Sequence, residues 1–300
     1  DICYATAQGQ YYRSDDNGET WENLTNKLES NDRMVIGVSP DEPSVVYCLL
    51  SDYDENFVGL YRSADAGKTF SLKSSTPNIL GYYTDGTDAA NQAFYDLCIA
   101  VDPNNADVIY SGGINIWKST NQGSSWDIVT HWYGADGYPA VHADQHTLRF
   151  SPVDGRLYSG NDGGIYYSED EGNSWTDISS GLAISQAYKM AQSTSNRNLI
   201  INGFQDNGTA RRNANGWTTV MGGDGMQCVI DPEDDQYQYA SIYYGAIYRT
   251  ASGGTSFEQI AGNGVNGIDE DGAWVTPYDL DVSNSNIMYA GYSNVWRCPQ

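Results

Sequence analysis

An eight-residue pattern, Ser-x-Asp-x-Gly-x-(Ser/Thr)-aromatic, recurs along this chain and constrains its fold more than any other feature. It is complete three times: with Ser14, Asp16, Gly18 and Trp21, with Ser63, Asp65, Gly67 and Phe70, and with Ser168, Asp170, Gly172 and Trp175. A fourth copy keeps Ser119, Gly123 and Trp126 but has Asn121 at the acidic position, and a fifth, over 250–257, has Ser252 there. Each copy reads as a tight hairpin turn. The Ser and Asp side chains cap backbone amides, the Gly takes a positive φ, and the aromatic ring plugs the sheet edge. The copies begin at residues 14, 63, 119, 168 and 250, in steps of 49, 56, 49 and 82. The last step is long enough to hide a degenerate unit, whose outer strand is expected at Gly216-Trp217-Thr218-Thr219-Val220.

A second motif runs in phase with the first. Apolar runs end in Val38-Ser39-Pro40-Asp41, Val101-Asp102-Pro103-Asn104, Phe150-Ser151-Pro152-Val153 and Ile230-Asp231-Pro232-Glu233, each followed by a second apolar run rich in Tyr and small residues. The repeating unit is therefore four strands, A to D, with the eight-residue turn between C and D. Four short strands in roughly 45–50 residues make a propeller blade. The expected fold class is all-β, a single β-propeller over 1–300, with blades near 1–26, 34–75, 95–130, 146–179, 187–221, 226–261 and 277–298. Seven blades are predicted, with eight the alternative. The shortfalls of the first and last blades suggest a piece of a longer chain, covalently linked to further domains.

The balance of 39 acidic against 15 basic residues, a net charge of −24, argues against nucleic acid or an anionic membrane surface as partner. No stretch is long and apolar enough to insert in a membrane as a helix. The chain opens inside a strand pattern, so a processed start and an extracellular or cell-surface location are expected. Cys3, Cys48, Cys98, Cys228 and Cys298 lie in or beside apolar runs with no CxxC spacing, and read as free thiols, with a Cys3–Cys298 bridge the alternative.

On these motifs the chain resembles the Asp-box (BNR) propeller superfamily, which includes sialidases, sortilin-type receptors and two-propeller enzymes that hydrolyse xyloglucan. The turn Asn161-Asp162-Gly163-Gly164 and the segments Gln205-Asp206-Asn207-Gly208 and Gly222-Gly223-Asp224-Gly225 also resemble large secreted repeat proteins of Bacteroidetes type. A sialidase would need three convergent arginines; Arg13, Arg62 and Arg249 sit beside the turns, on expected blade surfaces, and no triad emerges. The xyloglucanase resemblance implies two aspartates acting as acid and base. Asp162 is the residue carried over, with Asp206 or Asp224 as its partner, and an inverting pair needs carboxyl groups ~6.5–9.5 Å apart.

Propeller geometry would put Asp162, Asp206 and Asp224 on the face opposite the repeated turns. His142, Asp144 and His146 precede strand A of the fourth blade and alternate, so an extended segment would aim all three one way, as a Zn²⁺ site or as a hydrogen-bonded rim. Asp206, Asn207 and Asp224 offer the oxygen ligands that Ca²⁺ prefers. The long loops on that face bring Tyr82, Tyr83, Trp132, Tyr133, Tyr138 and Trp274, which with Gln205 and Asn207 could stack on and read sugar rings. The leading expectation is a recognition module for a glycan or a protein. A xyloglucanase-like glycoside hydrolase with paired aspartates is the alternative, and a scaffold repeat without a small ligand is the third reading.

Overall fold

The computed structural model describes residues 1–89, 92–182 and 184–299. The described residues form seven antiparallel sheets, each a meander of consecutive strands. Five have four strands; the sheets at residues 3–23 and 278–299 have three. The fold class is thus all-β, a β-propeller of seven blades. Helical structure among the described residues is confined to the short 3-10 turns Thr25–Lys27, Ala135–Gly137 and Tyr243–Gly245. Among the described residues no helix is long and apolar enough to cross a membrane.

The chain divides into two compact units, Asp1–Gly181 with four blades and Leu182–Gln300 with three. Within each unit the core lies between neighbouring blades. Tyr47, Leu49 and Leu60 of blade 2 pack against Val101, Ile109 and Trp117 of blade 3, and in the second unit Tyr239 and Ile247 of blade 6 meet Tyr278 and Met288 of blade 7. A central strand is therefore covered on both faces. Every residue of Val46–Ser51 is buried, which is why that strand reads as a continuous apolar run instead of alternating.

The repeated turns are built from side-chain hydrogen bonds. In the first, Ser14 Oγ accepts from the Gly18 amide and donates to Asp16 Oδ1, while Asp16 accepts from the Thr20 amide and hydroxyl. Those Thr20 bonds hold the Asp16 carboxyl down to about 2, and the equivalent bonds from Thr69 and Ser174 lower Asp65 and Asp170. Gly18, Gly67, Gly123 and Gly172 all take φ between 76 and 91°. At Gly67 a Cβ would meet the Tyr11 hydroxyl of the preceding blade at 2.1 Å, so the glycine is fixed by contact as well as by conformation.

The strand C cations depart from expectation. Arg13 is 3% exposed, not on a blade surface, and its Nε donates to the Ala66 carbonyl in the turn of the next blade. Lys118 and Tyr110 of blade 3 likewise donate to the Glu171 carbonyl of blade 4. All five cysteines are free: Cys48, Cys98 and Cys228 are buried, Cys3 and Cys298 half-buried.

Candidate functional site

In the first unit, one network joins the segment before blade 3 to the inner edge of blade 4. A single turn over residues 92–96, in which the Tyr95 and Asp96 amides both donate to the Gln92 carbonyl, presents Gln92, Tyr95 and Asp96 together. Strand Gln145–Phe150 supplies His146, and the hairpin turn between Leu157–Asn161 and Gly164–Ser168 supplies Asp162.

Asp162 is the centre. Its Oδ2 accepts from the Tyr95 hydroxyl at 2.7 Å and its Oδ1 meets His146 Nε2 at 2.7 Å. A carboxylate accepts there, so Nε2 carries the proton. The Tyr95 and His146 rings pack edge to face, 4.8 Å apart, which fixes both donors. The Asp162 side chain is 11% exposed and His146 40%, so the carboxylate sits low with the imidazole at its rim. Phe94 and Tyr95 are 65% and 39% exposed, their ring centroids 6.1 Å apart.

Beside it lies a second acidic pair. The Gln92 amide nitrogen donates both to Asp144 Oδ1 and to Asp96 Oδ2. Asp96 is 1% exposed, its Oδ1 has no hydrogen-bond partner, and burial, reinforced by the nearby Asp144, pushes its carboxyl up to about 8. Burial also raises Asp144, with the charge of Asp162 adding to it. An Asp144 oxygen lies within 4.8 Å of an Asp162 oxygen, closer than two carboxyl groups that must hold a water for inversion.

The expected Zn²⁺ set does not form. Asp144 takes φ 67°, a left-handed conformation that breaks the extended alternation on which the expectation rested. His142 turns onto Gly163, where a Cβ would meet its ring at 2.3 Å, and His146 turns onto Asp162. Among the described residues these three do not converge as ligands. In the second unit, Asp224 Oδ1 accepts from the Asp206 amide at 2.7 Å, and Asn207 donates to the Gln205 carbonyl, so both side chains brace this turn.

The aromatic candidates divide. Tyr82, Tyr83, Trp132 and Tyr133 are exposed, and Trp132 and Tyr133 stand edge to face at 4.4 Å. Thr84 donates to Asp136, and Asn115 ties Gly81 and Tyr82 to Trp132, so the two long loops support one another. Tyr138 instead packs against the core between blades 2 and 3, because the loop folds it inward. In the second unit Trp274 is 41% exposed and donates to Tyr188, which donates to Gln205. Sequence reasoning missed Tyr95, Gln92 and Asp96. The one available signal was an acid, Asp96, set directly before the apolar run that opens blade 3.

No family model matches the sequence. The chain is 30% identical over 142 residues, 43% of its length and 16% of the relative's, to a xyloglucanase of Acetivibrio thermocellus. It is 27% identical over 209 residues, 59% of its length and 20% of the relative's, to a xyloglucanase of a Paenibacillus species. The chain thus spans no more than 20% of the length of these curated relatives. Among solved structures it is similar to a GH74 xyloglucanase from Xanthomonas campestris, with TM-score 0.47, 20% identity, and coverage of 99% of this chain and 50% of that one. It is also similar to YCF48 bound to D1 peptide, with TM-score 0.40, 12% identity, and coverage of 94% and 83%.

Proposed function

We propose that this chain is part of a glycoside hydrolase of the xyloglucanase type, within the Asp-box propeller group, and that Asp162 is one of its two catalytic carboxylates. The observation that carries the reading is the Asp162 carboxylate, held on both oxygens by Tyr95 and His146 and itself only 11% exposed. Hydrolysis of a glycosidic bond needs a carboxylate whose oxygens point at one place, and a general acid or base so held contributes about 10²–10⁴-fold. Tyr95 and His146 are positioning residues: each gives Asp162 one hydrogen bond and restricts its rotation. The sequence likeness to xyloglucanases supports a glycan as ligand, and a polymeric glycan implies action outside the cell. The seven blades are read as one propeller.

Asp144 is too near Asp162 to be the partner in an inverting mechanism. It lies beside Asp162 and is bridged to the Asp96 carboxyl by Gln92. Asp206 and Asp224, the candidates for the second carboxyl group in the sequence, belong to the second unit. Reducing-sugar release from xyloglucan decides the assignment. Asp162→Asn is expected to lower the rate by roughly 10²-fold or more, with Tyr95→Phe and His146→Gln giving smaller losses. Full activity in Asp162→Asn removes it from catalysis. The same assay on Asp206→Asn and Asp224→Asn shows whether either is needed.

A further inference from the structure

The turn over residues 92–96 touches the Asp162 neighbourhood at two points. Tyr95 donates to Asp162 itself. Gln92, at the start of the turn, faces two other carboxyl groups. Its amide nitrogen carries two N–H bonds; Asp144 Oδ1 accepts one, and Asp96 Oδ2, 3.1 Å away, accepts the other. The Tyr82 hydroxyl donates to Gln92 Oε1 at 3.5 Å, which leaves the nitrogen to the acids.

The turn is anchored from beneath. Arg33 of blade 2 donates to the Ala93 carbonyl at 2.7 Å, and Ala93 is fully buried. Asp96 is 1% exposed, so one end of the Gln92 bridge is fixed by close packing. The other end is Asp144, whose φ of 67° a non-glycine residue keeps only where its surroundings determine it. Among the described residues Gln92 is the sole hydrogen-bond donor to the Asp144 carboxyl group. An Asp144 oxygen lies within 4.8 Å of an Asp162 oxygen, and two residues further on is His146, the other donor to Asp162.

Charge decides what this bridge does. Arg33 acts on Asp96, while Asp162, His142 and His146 act on Asp144. Burial and the charge of Asp162 raise the Asp144 carboxyl, and the Gln92 bond opposes them, because an N–H favours the ionised form. We propose that Gln92 is a positioning residue, whose amide holds the Asp144 carboxyl group in its place beside Asp162. This rests on the reading of Asp162 as a catalytic carboxylate and adds the residue that fixes its acidic neighbour. Without the amide, Asp144 keeps its proton to a higher pH and is free to rotate. The reacting carboxylate then has no fixed neighbour.

Two measurements on the whole chain test the proposal. The first needs no turnover. In protein labelled with carbon-13 at aspartate, the Asp144 carboxyl signal, assigned by its loss in Asp144→Asn, is followed by NMR as pH is varied. Gln92→Met, which keeps the side-chain length and has no N–H, is expected to move that titration to higher pH. The second is hydrolysis of xyloglucan. Gln92→Met should lower kcat roughly tenfold with KM within about twofold of the wild type. Gln92→Glu donates only while protonated, so its kcat relative to wild type should be highest in acid and fall as pH rises, which a mere packing role would not produce. An Asp144 titration unmoved in Gln92→Met overturns the proposal, whether or not the chain hydrolyses xyloglucan. So does wild-type kcat in Gln92→Met, or a loss in Gln92→Glu that is independent of pH. Full activity in Asp162→Asn instead removes the catalytic reading, and the NMR titration still decides whether Gln92 holds Asp144.

Discussion

Asp96 shows how one side chain couples the site to pH. Its carboxyl is neutral in the folded chain up to about pH 8, whereas in the unfolded chain it ionises near ~4. Between those values the folded state binds the extra proton, so stability should fall as pH rises from about 4 to about 8, with a limiting slope of ~1.4 kcal/mol per pH unit. The upward displacement of Asp144 has the same sign. Asp96→Asn keeps the shape and removes the titration, so its denaturation midpoint should vary less with pH across that window than the wild type's. Equal pH dependence in the two proteins would show that Asp96 is not the group responsible. The sequence announced Asp162 through its Asn-Asp-Gly-Gly turn but not this neighbourhood. Gln92 and Asp96 face one another because of a single irregular turn, and no periodicity marks such a turn. His146 was visible, but its role depended on the left-handed Asp144, which alternation arguments assume away.

At the scale of the element, the blade is the legible unit. The repeated turns, their spacing and the Pro-containing strand ends marked seven sheets because each copy solves the same local problem of capping amides in a hairpin. What joins one blade to the next was less legible, since a basic residue in strand C looks like a solvated surface charge. Arg13 is instead buried, and it gives the Ala66 carbonyl a hydrogen bond at 2.6 Å. Arg13→Met should cost about 1–3 kcal/mol in chemical denaturation, because the carbonyl across the interface loses its donor. Asp15→Asn should change stability little: the Asp15 carboxylate that pairs with Arg13 is 67% exposed. Comparable losses from both variants would mean that the ion pair matters and the crossing bond does not.

For the whole molecule, 39 acidic residues against 15 basic ones set a self-repulsion that no single contact relieves. Raising the ionic strength from about 0.02 M to about 0.5 M shortens the screening length severalfold, so the melting temperature should rise over that range. A melting temperature that is flat or falls with sodium chloride would show that local pairs outweigh the net charge.

The crossing bonds also bear on how such a chain can change over time. Arg13, Lys118 and Tyr110 each reach a main-chain carbonyl in the adjoining turn, and that carbonyl belongs to Ala66 in one blade and Glu171 in the other. Arg13 and Tyr110 read nothing of the recipient's side chain, while Lys118 also pairs with the exposed Glu171 carboxylate. A turn can therefore drift in composition, as the copy at 250–257 has done at its acidic position, and still be recognised by its neighbour. Blades joined in this way are interchangeable parts: one could be duplicated, or grafted from a related chain, without matching residues being selected on both sides of the seam.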